Sequence, residues 1–280
     1  MIEKIAVLAD SGSDLSITSK NLFVLPLRII IDEKEYVDKK DISLNEVLAK
    51  LDDSKITTSL PSPKDIVDTF DKIKQQGYTH LICIPISKGL SGTMNIITQM
   101  ATDYQGLTIE IIDTKNISMA SGYSSVEALE MIEKGVSFQD IIDKINQRLT
   151  LKKVFFTVDK LLYLKRGGRI GLVAATVAEL LKIKPVITCN ENGIYYTVKK
   201  ERGYQRAVNQ LIEQVLEFVG TSKSYDVTLL NSNTSLDLDE LTKQIKSKLP
   251  NIKNFTRSNI TPALAIHTGP EALGIAVSLA

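Results

Sequence analysis

Short apolar blocks alternate with polar, helix-like stretches through the first half of the chain. "KIAVLAD" reads as a buried strand, followed by the loop "SGSDL". "FVLPLRIII" is again extended, and Pro26 within it predicts an edge or a break. "SLNE" at Ser43 to Glu46 is a capping box that opens the helix "VLAKL". "SPKD" at Ser62 to Asp65 opens another, with proline at the first helical position. The pattern then predicts a strand over 80–86, a helix over 92–103, a strand over 108–112, and helices over 119–133 and 138–149. Continuous apolar strands separated by helices predict a parallel sheet covered on both faces. Ligands bind such sheets in the loops beyond the carboxyl ends of the strands. Three loops qualify: Asp10–Asp14, Ser87–Thr93 and Asp113–Ser118.

The second half is patterned differently. "KPVITCNENGIYYTVKK" carries two strand-like runs around Asn192-Gly193, a strong hairpin signal. A helix over 203–218, a strand over 225–231 and a helix over 236–248 follow. "ALAIHTGPEALGIAVSLA" closes the chain as two strand-like runs around "HTGPE". The expected fold is therefore α/β: an N-terminal parallel-sheet α/β/α domain over 1–160, then a smaller C-terminal α+β domain with a mainly antiparallel sheet over 161–280.

Composition narrows the function classes. A chain of 280 residues, 43% of them apolar, suits two ordinary domains with a sizeable core. A net charge of +1, with no long block of one sign, gives no reason to expect nucleic acid or a standing attachment to an anionic membrane. At most a transient contact with a membrane surface is expected. "MIEKIAVLAD" lacks signal-peptide architecture, and apolar windows such as "LVAATVAELL" are short and contain Glu179, whereas a span needs roughly twenty residues. Cys83 and Cys189 sit in apolar runs without CxxC spacing, so they read as buried free thiols. Together these features predict a cytoplasmic protein. With two histidines and two cysteines, and without an EF-hand loop or a P-loop, neither metal nor cofactor is expected.

Candidate chemistry centres on "SKGLSGTMN", Ser87 to Asn95, at a strand-to-helix turn. A nucleophile elbow needs GxSxG, and "GLSGT" places the second glycine directly after Ser91, so that pattern fails. A hydrolase built from Ser91 would need His267 as its base, because His80 begins an apolar strand. The same turn has the makings of an anion nest, with free backbone N–H groups and hydroxyls at a helix start. A plain helix cap at Ser91 fits the spacing equally well. In "ITTSLPSP", Thr57, Thr58 and Ser59 are either a strand end or hydroxyl donors facing a ligand.

Nine ordered landmarks span the chain: "DSGSDL" at Asp10, "YVDKKDIS" at Tyr36, "TSLPSP" at Thr58, "LSGT" at Leu90, "DTKNIS" at Asp113, "YLKRGGRI" at Tyr163, "LLKIKPVI" at Leu180, "ERGYQRA" at Glu201 and "HTGPEALGI" at His267. Taken together the sequence resembles the DegV family, whose better-studied members are fatty-acid-binding proteins of the bacterial fatty acid kinase (FakB-type) system. The resemblance implies one long-chain fatty acid, such as palmitate or oleate, with its tail in a buried tunnel and its carboxyl group where the domains meet. It implies carboxylate contacts from Thr58, Ser91 and His267, assisted by the amide of Gly92. It also implies that Arg202 lies near the headgroup or the kinase-docking region. On this expectation the chain is not itself an enzyme. It presents the acid to a kinase catalytic subunit, and the acyl phosphate formed there enters phospholipid synthesis. The alternatives are a serine-dependent acyl hydrolase using Ser91 and His267, and a lipid sensor acting on an unrelated partner.

Two positions depart from the family pattern. Leu60 stands where glutamine is usual, removing a polar support of the headgroup loop. Glu271 stands where "HxGPG" has its second glycine, which predicts strain at positive φ or a slightly different turn. Asp10 and Asp14 read as loop-ordering residues, and "KRGGRI" as a linking turn in which Arg169 pairs with a carboxylate. Met94, Met100 and Met119 fit a tunnel wall or an ordinary core.

Overall fold

The computed structural model describes residues 3–177 and 183–280. Glu179 and the start of the Leu180 landmark lie outside the described residues. The strands are β1 (Ile5–Asp10), β2 (Leu22–Leu25), β3 (Arg28–Ile31), β4 (Lys34–Val37), β5 (Ile56–Ser59), β6 (His80–Cys83), β7 (Thr108–Ile111), β8 (Lys152–Thr157), β9 (Ile183–Cys189), β10 (Tyr195–Arg202), β11 (Tyr225–Asn231), β12 (Ile252–Asn259) and β13 (Leu273–Leu279). The helices are α1 (Leu44–Lys50), α2 (Pro63–Gln75), α3 (Thr93–Thr102), α4 (Ser118–Glu133), α5 (Phe138–Gln147), α6 (Leu162–Arg166), α7 (Ala174–Val177), α8 (Tyr204–Val219), α9 (Leu238–Lys248) and α10 (Pro262–Thr268).

The first half folds around a parallel sheet in the order β2-β1-β6-β7. Every residue of β1 is buried because both faces are covered. Ile5 and Val7 pack with Ala128 and Leu129 of α4 and Ile141 of α5, while Ala6 and Leu8 pack with Ile66 and Phe70 of α2 and Ile97 of α3. The predicted capping box forms at the start of α1, and the predicted opening of α2 at Ser62–Asp65 is a capping box as well. Pro26 is indeed a break: β2 joins the parallel sheet, while β3 turns into a separate antiparallel sheet, β4-β3-β5. Cys83 and Cys189 are buried free thiols.

A six-stranded sheet, β10-β9-β8-β13-β11-β12, dominates the second half and is antiparallel except for the pair β11–β12. The Asn192-Gly193 signal marks the β9–β10 hairpin, with Gly193 at φ +71°. β8 belongs to this sheet although it precedes residue 160. α8 and α9 cover one face. The other face, with Val154, Phe156, Ile187 and Leu230, looks toward Ile86, Leu90 and Ile117 from the loops of the first sheet.

One expected strand is a helix. "ALAIH" lies in α10, which begins with Pro262 at its first position and stops at Gly269, φ +75°. Proline preset at the start and left-handed glycine past the end outweigh the strand-like apolar run. β12 carries no comparable signal: its residues are mostly polar, as suits an edge strand. Among the described residues no helix is long and apolar enough to cross a membrane.

Candidate functional site

Alternation in β5 selects among the hydroxyls of "ITTS". Ile56 and Thr58 are half-buried while Thr57 and Ser59 are exposed, so Thr58 is the residue turned inward. Its Oγ1 lies 2.8 Å from Nε2 of His267, which the last turn of α10 brings in from 209 residues away. Burial, reinforced by the positive charge of Arg169, pushes the His267 pKa down to about 3. The imidazole is therefore neutral at physiological pH, with one N–H and one lone pair. Its Nδ1 is buried without a hydrogen-bond partner among the described residues.

The ring sits directly on the backbone of Gly167, where a Cβ would come within 1.9 Å of Nδ1. Only glycine leaves that space. Arg169, two residues on, donates from Nη1 to the Gly167 carbonyl at 2.7 Å and from Nε to the Leu90 carbonyl at 3.2 Å. The arginine thus ties the segment under His267 to the residue preceding Ser91.

Ser91 sits in the turn between β6 and α3. The Ser87 carbonyl accepts from the Leu90 and Ser91 amides at 3.0 Å each, which tightens the turn. The Ser87 hydroxyl donates to the Gly193 carbonyl at 2.9 Å, so the β9–β10 hairpin tip seats on this turn. Ser91 Oγ lies 2.9 Å from Thr93 Oγ1 and accepts from the Thr93 amide at 3.2 Å. It therefore helps cap α3 and also faces the cavity. Gly92 lies beside Leu60, whose Cδ1 is 3.1 Å from where a Gly92 Cβ would stand.

Thr58, Ser91, Arg169 and His267 all line one cavity of about 240 Å³, as do Leu60, Ser118 and Tyr195. Its remaining wall is largely apolar and includes Leu90, Val154, Phe156, Leu230 and Leu264. Gly92 adjoins it through Leu60, whereas Arg202 stands exposed at the end of β10 and is not among its walls. Met94, Met100 and Met119 do not line it; Met119 and Met100 pack into core clusters. Arg169 turns from the expected linking turn into the cation beside the histidine, a role without a local sequence signal. Ser118 ends one of the three loops expected to hold a ligand, whereas Tyr195 became visible only through the fold.

Among the described residues, Ser91 and His267 form no catalytic relay. Ser91 Oγ pairs with Thr93 and His267 Nε2 pairs with Thr58. A histidine pushed to about 3, without a carboxylate on Nδ1, is too weak a base to activate a hydroxyl near neutral pH. What the cluster offers is hydroxyls, a neutral imidazole and one guanidinium around an apolar chamber.

The profile of the family described as "Uncharacterised protein, DegV family" matches residues 4–279. The chain belongs to the DegV family. A DegV domain-containing protein of Clostridium acetobutylicum is 39% identical over 279 residues, covering 99% of both chains. Among solved structures, a fatty-acid-binding DegV family protein from Thermus thermophilus superposes with a TM-score of 0.91 at 26% identity, covering 99% of each chain. The Streptococcus pneumoniae fatty acid kinase B3 protein, loaded with linoleic acid, shares the fold with a TM-score of 0.85 at 20% identity, covering 99% of each chain. The mixed α/β architecture, with a four-stranded parallel sheet and a mainly antiparallel partner, is the architecture of these DegV structures.

At Glu271, the two outcomes anticipated from sequence resolve in favour of positive φ. The residue takes φ +63°, and its carboxylate accepts from Thr234 Oγ1 at 2.8 Å and from the Ser235 amide at 3.0 Å. These bonds offset the left-handed strain that glycine would avoid.

Proposed function

We propose that this chain binds a single long-chain fatty acid and presents its carboxyl group to a fatty acid kinase. The observation that carries the reading is the cavity itself: an apolar chamber walled by core side chains, with Thr58, Ser91, Arg169 and His267 gathered at one polar cluster. At roughly 0.8 kcal/mol per buried methylene, a sixteen-carbon tail supplies on the order of 10 kcal/mol before ordering costs. A buried carboxylate is costly unless several donors satisfy it. Thr58, Ser91, the amide of Gly92 and His267 are the proposed donors, and Arg169 adds charge compensation.

The kinase step rests on family likeness, including the fatty acid kinase B3 protein. In this reading the chain is a cytoplasmic carrier without turnover of its own, Arg202 contributes to docking the kinase, and the acyl phosphate feeds phospholipid synthesis. Native mass spectrometry of the purified protein, with solvent extraction of what is released, tests the binding. A stoichiometric long-chain fatty acid is expected. An unshifted mass after adding palmitate or oleate refutes it. Mixing the loaded protein with a fatty acid kinase catalytic subunit and ATP tests presentation, which predicts acyl phosphate only when this protein is included.

A further inference from the structure

Behind the headgroup cluster lies a second set of buried polar side chains. Asp10, Asp14 and Asp38 are 0, 1 and 2% exposed. Each carboxylate accepts two hydrogen bonds. Asp10 takes the amides of Gly12 (2.9 Å) and Ile86 (3.0 Å). Asp14 takes the Ser118 hydroxyl and the Thr261 amide (2.7 Å). Asp38 takes the Ser11 hydroxyl (2.6 Å) and the Ala263 amide (3.1 Å), while Ser11 Oγ in turn accepts from the Leu27 amide (3.0 Å). Leu27, Ile86, Ser118 and Ala263 all line the cavity, so each of these carboxylates holds at least one residue of its wall. Thr261 occupies the N-cap position of α10 and Ala263 lies in its first turn; His267 is in its last.

We propose that Asp14 and Asp38 are positioning residues that pin α10, and with it His267, against the first half of the chain, and that losing their protons loosens this hold and speeds fatty-acid exchange. The inference rests on the fatty-acid reading for its ligand, though not for the hold itself.

The chemistry separates these two carboxyls from the third. Ser118 and Ser11 carry hydroxyls that reverse from donor to acceptor, so a protonated Asp14 or Asp38 keeps its bonds. Asp10 faces two amide N–H groups, which cannot reverse. Burial raises Asp10 and Asp14 to about 7 and moves Asp38 in the same direction. The charge of Asp38 reinforces the rise at Asp10 and Asp14, and Lys39 opposes it at Asp14 and Asp38. Tyr195, across the cavity wall, feels Asp14 and Arg169, and His267 at the far end of α10 feels Arg169. The closed junction therefore binds protons more tightly than an opened, hydrated one. Its advantage is complete below the ordinary aspartate value and fades as pH rises to about 7. Across that window opening grows by up to about tenfold per pH unit for each linked proton, then levels off.

The test uses the full-length wild type, Asp14→Asn, Asp38→Asn and Lys39→Met from pH 5 to 8, with two readouts. One is protection of the Thr261 and Ala263 amides from hydrogen exchange, corrected for intrinsic rates. The other is displacement of bound cis-parinaric acid by excess oleate. In the wild type, protection should fall and displacement should quicken about tenfold or more between pH 5 and 7, with a plateau above. The two Asn variants should weaken that slope, and Lys39→Met should move it to higher pH. Wild-type slopes in both Asn variants, an unmoved slope in Lys39→Met, or pH-independent protection in the wild type overturns the proposal. Cis-parinaric acid that binds but exchanges with a flat profile overturns the link to exchange. Failure to bind it at any pH, with the protection profile as expected, removes the fatty-acid reading and leaves the hold on α10 standing.

Discussion

On the proposed reading, replacing His267 with alanine isolates the headgroup contribution. The structure gives His267 a hydrogen-bonding partner in Thr58 at 2.8 Å, a neutral ring and a position on the cavity wall. A hydrogen bond to a charged acceptor is worth about 1.5–3 kcal/mol. His267→Ala should therefore weaken palmitate binding by about 10- to 150-fold. Methyl palmitate keeps the tail but has no carboxylate. Its affinity should be lower in the wild type and change by less than about threefold in the variant, because the apolar wall is untouched. Displacement titrations of a fluorescent fatty acid by each compound, at a fixed pH near 7.5, give the four dissociation constants. An equal loss for acid and ester would refute the reasoning, since it would mean that His267 shapes the chamber rather than holding the head. Ser91→Ala, run alongside, should behave like His267→Ala but with a smaller loss, because Thr93 already shares the serine hydroxyl.

Gly167→Ala should reproduce the His267→Ala affinity defect. Gly167 has φ −77°, which alanine accepts, so only the 1.9 Å approach to Nδ1 changes, and circular dichroism should be unaltered. Glu127→Ala strands Lys152, whose side chain is 1% exposed and whose ammonium meets Glu127 at 2.5 Å; Arg148 meets the same carboxylate. Urea unfolding should show a loss of about 3 kcal/mol, much of it recovered in Glu127→Ala/Lys152→Met. Asp14→Asn should be more stable than the wild type at pH 8 by up to ~4 kcal/mol, the cost of ionising a carboxyl raised to about 7. The two should converge near pH 4, where the wild-type carboxyl is neutral. Asp10, raised to the same extent, should gain less at pH 8 on conversion to Asn, by about 1–3 kcal/mol, since its amide would turn an N–H toward that of Gly12 or Ile86.

Much of the scaffold was legible because its signals are local. The all-apolar β1, the capping boxes of α1 and α2, the Pro26 break and the Asn192-Gly193 turn each act within a few residues. α10 misled because "ALAIH" is apolar on every side, as a strand buried on both faces also is. The candidate site divides the same way. Family motifs pointed to Thr58, Ser91 and His267, and strand alternation in β5 explains why Thr58 rather than Thr57 turns inward. Arg169 and Asp38 acquire their surroundings only across the fold, from His267 and Ala263 respectively, so no spacing rule reveals them.

The chamber's apolar wall and the largest interior cluster are in good part the same residues: Leu90, Val154, Phe156, Leu230 and Leu264 belong to both. In the proposed reading the acyl chain would pack against this protein's own core side chains. Whatever fills the space stabilises the fold by mass action, about 2.7 kcal/mol when free ligand stands at a hundred times its dissociation constant. On the proposed fatty-acid reading, resistance to unfolding and to proteolysis should therefore track lipid supply, and the amount of this protein in a cell would become a record of how much fatty acid there was to bind.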